Sequence, residues 1–129
     1  MRLLLDTNIV LPVIHERVAD LQPAIREALA SASNSHYVSV ASVWEIALKV
    51  RLGKLDLRPS LAELPDLLSG LRLSLLRIEL SHVLAEISPL PETRDPFDRL
   101  LLAQSLVEGL RLVTLDRALS VHPLAWRPV

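Results

Sequence analysis

Arg2-Leu3-Leu4-Leu5-Asp6-Thr7-Asn8 opens with an apolar run that stops abruptly at an acid. A short run without polar alternation suits a strand buried on both faces, and Asp6-Thr7-Asn8 supplies capping chemistry for a helix that follows. Outward from this stretch, Ile9 to Ile14 reads as a short apolar helix carrying Pro12. Leu21, Ile25, Ala28 and Leu29 recur at helical spacing through about Ser33, with Pro23 in the first turn. Tyr37 to Val40 is a second β-rich run behind a Ser/Asn cluster. Ser42 followed by Glu45 has the form of a capping box and opens a helix that ends near Gly53. Leu61, Leu64, Leu67, Leu68 and Leu71 mark one or two helices interrupted by Pro65 and Gly70. Leu76 to Leu80 is a third strand, and Ser81 to Ile87 a short helix. Asp95 with Pro96 is an N-cap and first-position pair for a long helix stopping at Gly109. Leu112 to Thr114 is a fourth strand and Ala125 to Arg127 a short fifth. Strands alternating with helices predict an α/β fold with a mostly parallel sheet covered on both faces, in one domain over residues 1–129.

The totals narrow the function. The chain has 129 residues, half of them hydrophobic, with one Phe, one Tyr and two Trp, so the apolar excess is aliphatic. A mean hydropathy of +0.36 predicts exposed apolar surface and therefore a partner. No apolar run approaches the roughly 18–20 residues of a membrane span. The start is too short for a signal peptide's apolar core. Cysteine is absent, which excludes disulfides and thiolate metal sites. The expected location is the cytoplasm. A net charge of −1 provides no global basic field, so a nucleic acid would have to be held by local Arg and Lys, with cations covering the acids.

In open α/β sheets, sites form beyond the carboxyl ends of the strands. Asp6 follows the first strand, Glu45 lies a turn beyond the second, Asp116 lies just past the fourth, and Asp98 sits in the first turn of the long helix. Each has a plain alternative. Asp6 and Asp116 suit helix caps. Glu45 suits a capping box or a pair with Lys49, and Asp98 suits the positive end of a helix dipole. Together they predict a carboxylate cluster, which repels itself unless a cation intervenes. Oxygen donors without sulfur or imidazole favour Mg²⁺ or Mn²⁺, and such ions polarise phosphodiesters and activate water.

Four stretches resemble one family: Leu-Leu-Leu-Asp-Thr-Asn (3–8), Ser-Val-Trp-Glu-Ile-Ala-Leu-Lys-Val-Arg-Leu-Gly-Lys-Leu (42–55), Arg-Asp-Pro-Phe-Asp-Arg-Leu-Leu-Leu-Ala-Gln (94–104) and Leu-Val-Thr-Leu-Asp-Arg (112–117). They are similar to the PIN-domain ribonucleases, and within them to VapC-type toxins of bacterial type II toxin–antitoxin pairs. The resemblance implies a three-layer α/β/α sandwich with a five-stranded parallel sheet. It also implies Mg²⁺- or Mn²⁺-dependent endonucleolytic cleavage of RNA, leaving 5′-phosphate and 3′-hydroxyl ends. It carries the four family acids onto Asp6, Glu45, Asp98 and Asp116, and a supporting hydroxyl onto Thr7. It further implies an antitoxin protein as partner and a homodimer. Two positions depart: Thr93 and Asn8 stand where relatives often carry histidine.

On this reading Asp6 and Asp98 are the main inner metal ligands, with Glu45 and Asp116 on a second ion or acting through water. Arg94, Arg99 and Arg117 are candidates for bidentate phosphate contacts, with ordinary pairing to Asp95, Asp98 and Asp116 as the alternative. Lys49, Arg51 and Lys54 extend that track more weakly. His15, His36, His82 and His122 have no ligand spacing. Trp44 and Phe97 are read as core rather than base-stacking platforms. The Leu-rich stretch 61–75 is read as a sequestered helix pair, with an antitoxin groove or dimer face as the other use. Rival enzymes fit poorly: a haloacid dehalogenase-type phosphatase needs an Asp where Asn8 stands, and a receiver domain needs one after the third strand, where Leu80-Ser81 stand. The remaining alternative is a PIN-fold protein that acts mainly as a non-catalytic partner of protein or RNA.

Overall fold

The computed structural model describes residues 1–128. Strands β1 (Arg2–Leu5), β2 (Ser35–Ser39), β3 (Ser74–Leu76) and β4 (Arg111–Val113) are all parallel and lie in the order β3-β2-β1-β4. Helices α1 (Thr7–Ile14), α2 (Pro23–Ala30), α3 (Val40–Arg51), α4 (Leu64–Gly70), α5 (Leu80–Leu84), α6 (Pro96–Glu108) and α7 (Arg117–Ser120) fill the connections. The chain steps from β1 to β2 to β3, then returns to add β4 on the free side of β1. That reversal makes the carboxyl ends of β1 and β4 the switch point of the sheet, the edge where ligands bind in sheets of this kind.

β1 explains why the sheet is covered twice. Successive side chains of a strand point to opposite faces. Leu3 and Leu5 pack into one core with Ile9, Val10, Ile25, Ile46, Leu64 and Leu68. Leu4 packs into the other with Ala41, Leu101, Leu102, Leu112 and Leu119. Helices α1, α2 and α4 therefore lie on one face and α6 and α7 on the other, giving the three layers. Leu3, Leu4 and Leu5 are completely buried, and each contributes about 1.5–3 kcal/mol through burial.

Three expectations shift. The predicted fifth strand at Ala125–Arg127 is reduced to a single parallel bridge between Leu112 and Ala125, so the sheet has four strands. Pro123 and Pro128 flank that bridge and lack the N–H groups a longer ladder needs. The third strand pairs over Ser74–Leu76 rather than Leu76–Leu80. Its partner β2 ends at Ser39, opposite Leu76, so later residues have no rung to meet even though their alternation continues. The helix after β2 starts one turn early: the Ser39 hydroxyl accepts from Ala41 N–H at 3.0 Å, while the Ser42 hydroxyl is buried without a partner. Glu45 is therefore well inside α3, and the capping-box reading fails. Within the Leu-rich stretch, Leu64, Leu68 and Leu73 are core. Among the described residues no helix is long and apolar enough to cross a membrane.

Candidate active site

β1 and β4 are neighbours, so the residues leaving them meet. Asp6 N–H donates to Val113 O at 2.9 Å, which ties the exit of β1 to the end of β4. The Asp6 carboxylate is 5% exposed and doubly held. Its Oδ1 accepts from Thr7 N–H at 2.7 Å, and its Oδ2 accepts from the Thr114 hydroxyl, also at 2.7 Å. Thr7 turns its own hydroxyl to Glu45 Oε1 at 2.6 Å, which joins the first acid's neighbour to the second acid on α3. Lys49 pairs with the other Glu45 oxygen at 3.1 Å. Asp98, in the first turn of α6, accepts the Thr93 hydroxyl on Oδ2 at 3.0 Å. Asp116 caps α7 through Oδ1, which accepts from Ala118 N–H at 2.8 Å and Leu119 N–H at 3.3 Å.

The plain readings hold in part: Asp6 and Asp116 are caps, and Glu45 does pair with Lys49. They do not exhaust the site, because the acids feel one another. Burial raises the Asp6 carboxyl above its ordinary range; hydrogen bonds from Thr114 and Thr7 pull it back, and repulsion from Glu45 and Asp116 adds to the rise. Burial likewise pushes Asp98 up to about 6, against the pull of the Thr93 hydroxyl, with repulsion from Asp95, Asp6 and Asp116 contributing. Asp6 thus interacts electrostatically with all three of the other acids.

Among the described residues, no ion pair joins a Lys or Arg to Asp6, Asp98 or Asp116. Nor do three of the acids gather closely enough there to form a ready-made ligand cage. Asp6, Asp98 and Asp116, oxygen donors that repel one another and have no Lys or Arg partner among the described residues, fit a hard divalent cation.

The PIN domain family matches residues 3–123, nearly the whole chain. The chain belongs to that family. Among curated proteins none matches the sequence. Solved structures share the fold, two of them as follows. A toxin–antitoxin complex from Klebsiella pneumoniae superposes with a TM-score of 0.60 at 17% identity, covering 98% of this chain and 97% of the other. VapBC2 from Rickettsia felis, bound to a DNA fragment from its promoter, superposes with a TM-score of 0.60 at 15% identity, covering 97% and 96%.

Some features of this PIN domain were not foreseen from its sequence. Thr93 and Thr114 are the hydroxyl donors to Asp98 and Asp6. Each also accepts the N–H of the residue two positions on, Asp95 at 3.2 Å and Asp116 at 3.0 Å. Both stretches read Thr-x-Asp with the Asp capping a helix, a local pattern visible in the sequence. Asn8 Oδ1 accepts from Leu115 N–H at 3.2 Å and so braces the loop after β4. Arg94 and Arg117 are exposed, and Arg99 donates to Thr93 O at 2.8 Å; their predicted pairing with Asp95, Asp98 and Asp116 is absent among the described residues. Trp44 corrects its assignment to the core: it is 57% exposed, and its ring packs against that of Phe97.

Proposed function

We propose that this PIN domain is a metal-dependent endoribonuclease and the toxin of a toxin–antitoxin pair, with Mg²⁺ or Mn²⁺ held by Asp6, Glu45, Asp98 and Asp116. The observation that carries the reading is the pair Asp6 and Asp98. Both are raised by burial and by repulsion from neighbouring acids, and neither has a cationic partner among the described residues. A divalent ion there supplies Lewis-acid polarisation of a phosphodiester and lowers the pKa of attacking water.

The chain's own groups do the rest. Asp6 and Asp98 would be the inner ligands, and the Thr114, Thr7 and Thr93 hydrogen bonds hold their carboxylates in one orientation and oppose the rise that burial causes. Glu45 and Asp116 act on a second ion or through water. Arg94, Arg99 and Arg117, which pair with no acid among the described residues, hold RNA phosphates beside them. The toxin assignment is supported by the fold shared with the Klebsiella pneumoniae toxin–antitoxin complex and with VapBC2. An antitoxin partner and a homodimer are supported by exposed apolar side chains on and beside α5, including Leu80, Val83, Leu84 and Leu90. The proposed location is the cytoplasm.

Purified protein is incubated with total cellular RNA in Mg²⁺, Mn²⁺ or EDTA, alongside Asp98→Asn. Metal-dependent cutting lost in the variant supports the reading, and the fragment ends identify the target. Growth arrest on expression, relieved by Asp6→Asn, is the expected cellular counterpart. Absence of cutting with either metal, or arrest that Asp6→Asn leaves unchanged, overturns the nuclease-toxin reading in favour of a binding role.

A further inference from the structure

A tryptophan on a helix has a large apolar surface whose burial is strongly favourable, yet Trp44 on α3 is 57% exposed. It is not loose. Its ring centroid lies 5.5 Å from that of Phe97 at a tilt of 59°, an edge-on contact that steadies the indole while covering only part of it. Phe97 is itself anchored, since its side chain is partly buried against the core on the α6 side of the sheet. The two rings bridge the segments that carry two of the four acids: Trp44 precedes Glu45, and Phe97 precedes Asp98. One helical turn on, Lys49 pairs with Glu45 and leaves its side chain 46% exposed.

An exposed aromatic held by a second ring beside the acids, with Lys49 one turn beyond the neighbouring Glu45, has the parts of a single-strand platform: a π-face for a base and a cation for the backbone. We infer that Trp44, steadied by Phe97, stacks an unpaired base of the RNA strand next to the scissile phosphate. The inference rests on the nuclease reading and deepens it by requiring a single-stranded, base-bearing substrate at this edge. The competing use is a protein contact, because Leu48 and Leu52 follow Trp44 on the same side of α3. Trp44 is favoured for RNA because its fixed contact leads to Phe97 and the acids.

The test uses the full chain with Asp98→Asn to suppress cleavage, in Mg²⁺. Binding of a short oligouridylate and of an abasic strand of equal length is measured by anisotropy. Trp44→Leu is expected to weaken the oligouridylate about tenfold and to leave the abasic strand unchanged, while Trp44→Tyr retains the preference for bases. Quenching of the intrinsic fluorescence by the oligouridylate, lost in Trp44→Leu, is the matching spectroscopic sign. Equal weakening of both strands, or no weakening, overturns the platform. Dissociation of a dimer in sedimentation with RNA binding intact also overturns it, and assigns the face to protein. Those outcomes leave metal-dependent cleavage by the parent protein standing. Failure of the parent to bind either strand, together with failure to cleave, overturns both readings.

Discussion

The Thr114 hydroxyl donates to Asp6 Oδ2 at 2.7 Å across 108 residues of sequence. The Thr114 Oγ1 in turn accepts the Asp116 N–H at 3.0 Å, so the hydroxyl proton is directed away from that amide and toward Asp6. Thr93 repeats the device at Asp98, accepting from Asp95 N–H and donating to the carboxylate. A neutral donor of this kind holds a carboxylate in one orientation and favours its charged form. It does so without adding a positive charge that would compete with a cation.

Thr114→Val keeps the shape and removes both bonds. Asp6 then loses the strongest influence opposing its desolvation, and its Oδ2 is left without that donor in a buried setting. Mn²⁺ affinity by calorimetry is expected to fall about tenfold, as for other residues that orient a ligand. Stability is expected to drop by about 1–3 kcal/mol. Thr114→Ser should restore both. Unchanged Mn²⁺ binding in the valine variant would mean that Asp6 is not set by this hydroxyl.

Asp98 makes stability depend on pH in a definite direction. Its carboxyl lies at about 6 in the folded chain against an ordinary 3.8. The folded state therefore binds the proton more tightly, and stability is full below about pH 4 and lost as pH rises through about 6. Asp98→Asn should remove that loss. Solvent screening at this partly exposed group reduces the effect to about 1 kcal/mol, or a few degrees in Tm. In EDTA the variant should melt above the parent near pH 7 and level with it near pH 4. Added Mg²⁺ should close the gap at neutral pH by stabilising the parent alone. A variant that melts below the parent near pH 7 in EDTA would contradict the strained carboxylate.

Gly109 tests the other end of α6. It closes the helix at φ +67°, and a Cβ there would meet nothing within 4 Å. Gly109→Ala should therefore cost about 1 kcal/mol of conformational strain alone, read as a lower midpoint in urea with an unchanged slope. Gly109→Asn should cost less. A loss of several kcal/mol would point to a clash that the open space around this residue excludes.

Gly109, Asp95 and Asp6 were legible in the sequence because caps and helix stops are written in neighbouring residues. The positions of Asp6 and Asp116 at strand exits and of Asp98 in the first turn of a capped helix were legible in the same way, whereas Glu45 lies inside α3, where the capping-box reading failed. Other features depend on distant partners. The bond from Thr114 to Asp6 exists only because β4 returns beside β1, which no local pattern encodes. The length of β3 was set by where β2 ends, and the start of α3 by a choice between Ser39 and Ser42 that burial decided. Trp44 was misassigned for a related reason. α3 contacts both α1 and α6 and sends Ile46 to one core and Ala41 to the other. Its apolar residues therefore surround the helix and hide which one faces water.

Lys49 offers a test in which two effects move in opposite directions. Its ammonium holds Glu45 Oε2 at 3.1 Å, an i,i+4 pair with the lysine half exposed. Such a pair contributes only about 0.3–0.5 kcal/mol, so Lys49→Met should leave the melting temperature nearly unchanged. If Glu45 binds the cation, directly or through water, removing the ammonium frees that oxygen and relieves a competing positive charge. Mn²⁺ should then bind more tightly. If Lys49 also touches the RNA backbone, the strand should bind more weakly, with a salt dependence reduced by about one ion. Tighter metal with weaker RNA is the expected pattern, measured on one preparation by calorimetry and by anisotropy over a salt series. Weaker metal binding would instead mean that the lysine positions Glu45 for the ion, and would reverse the role assigned to the pair.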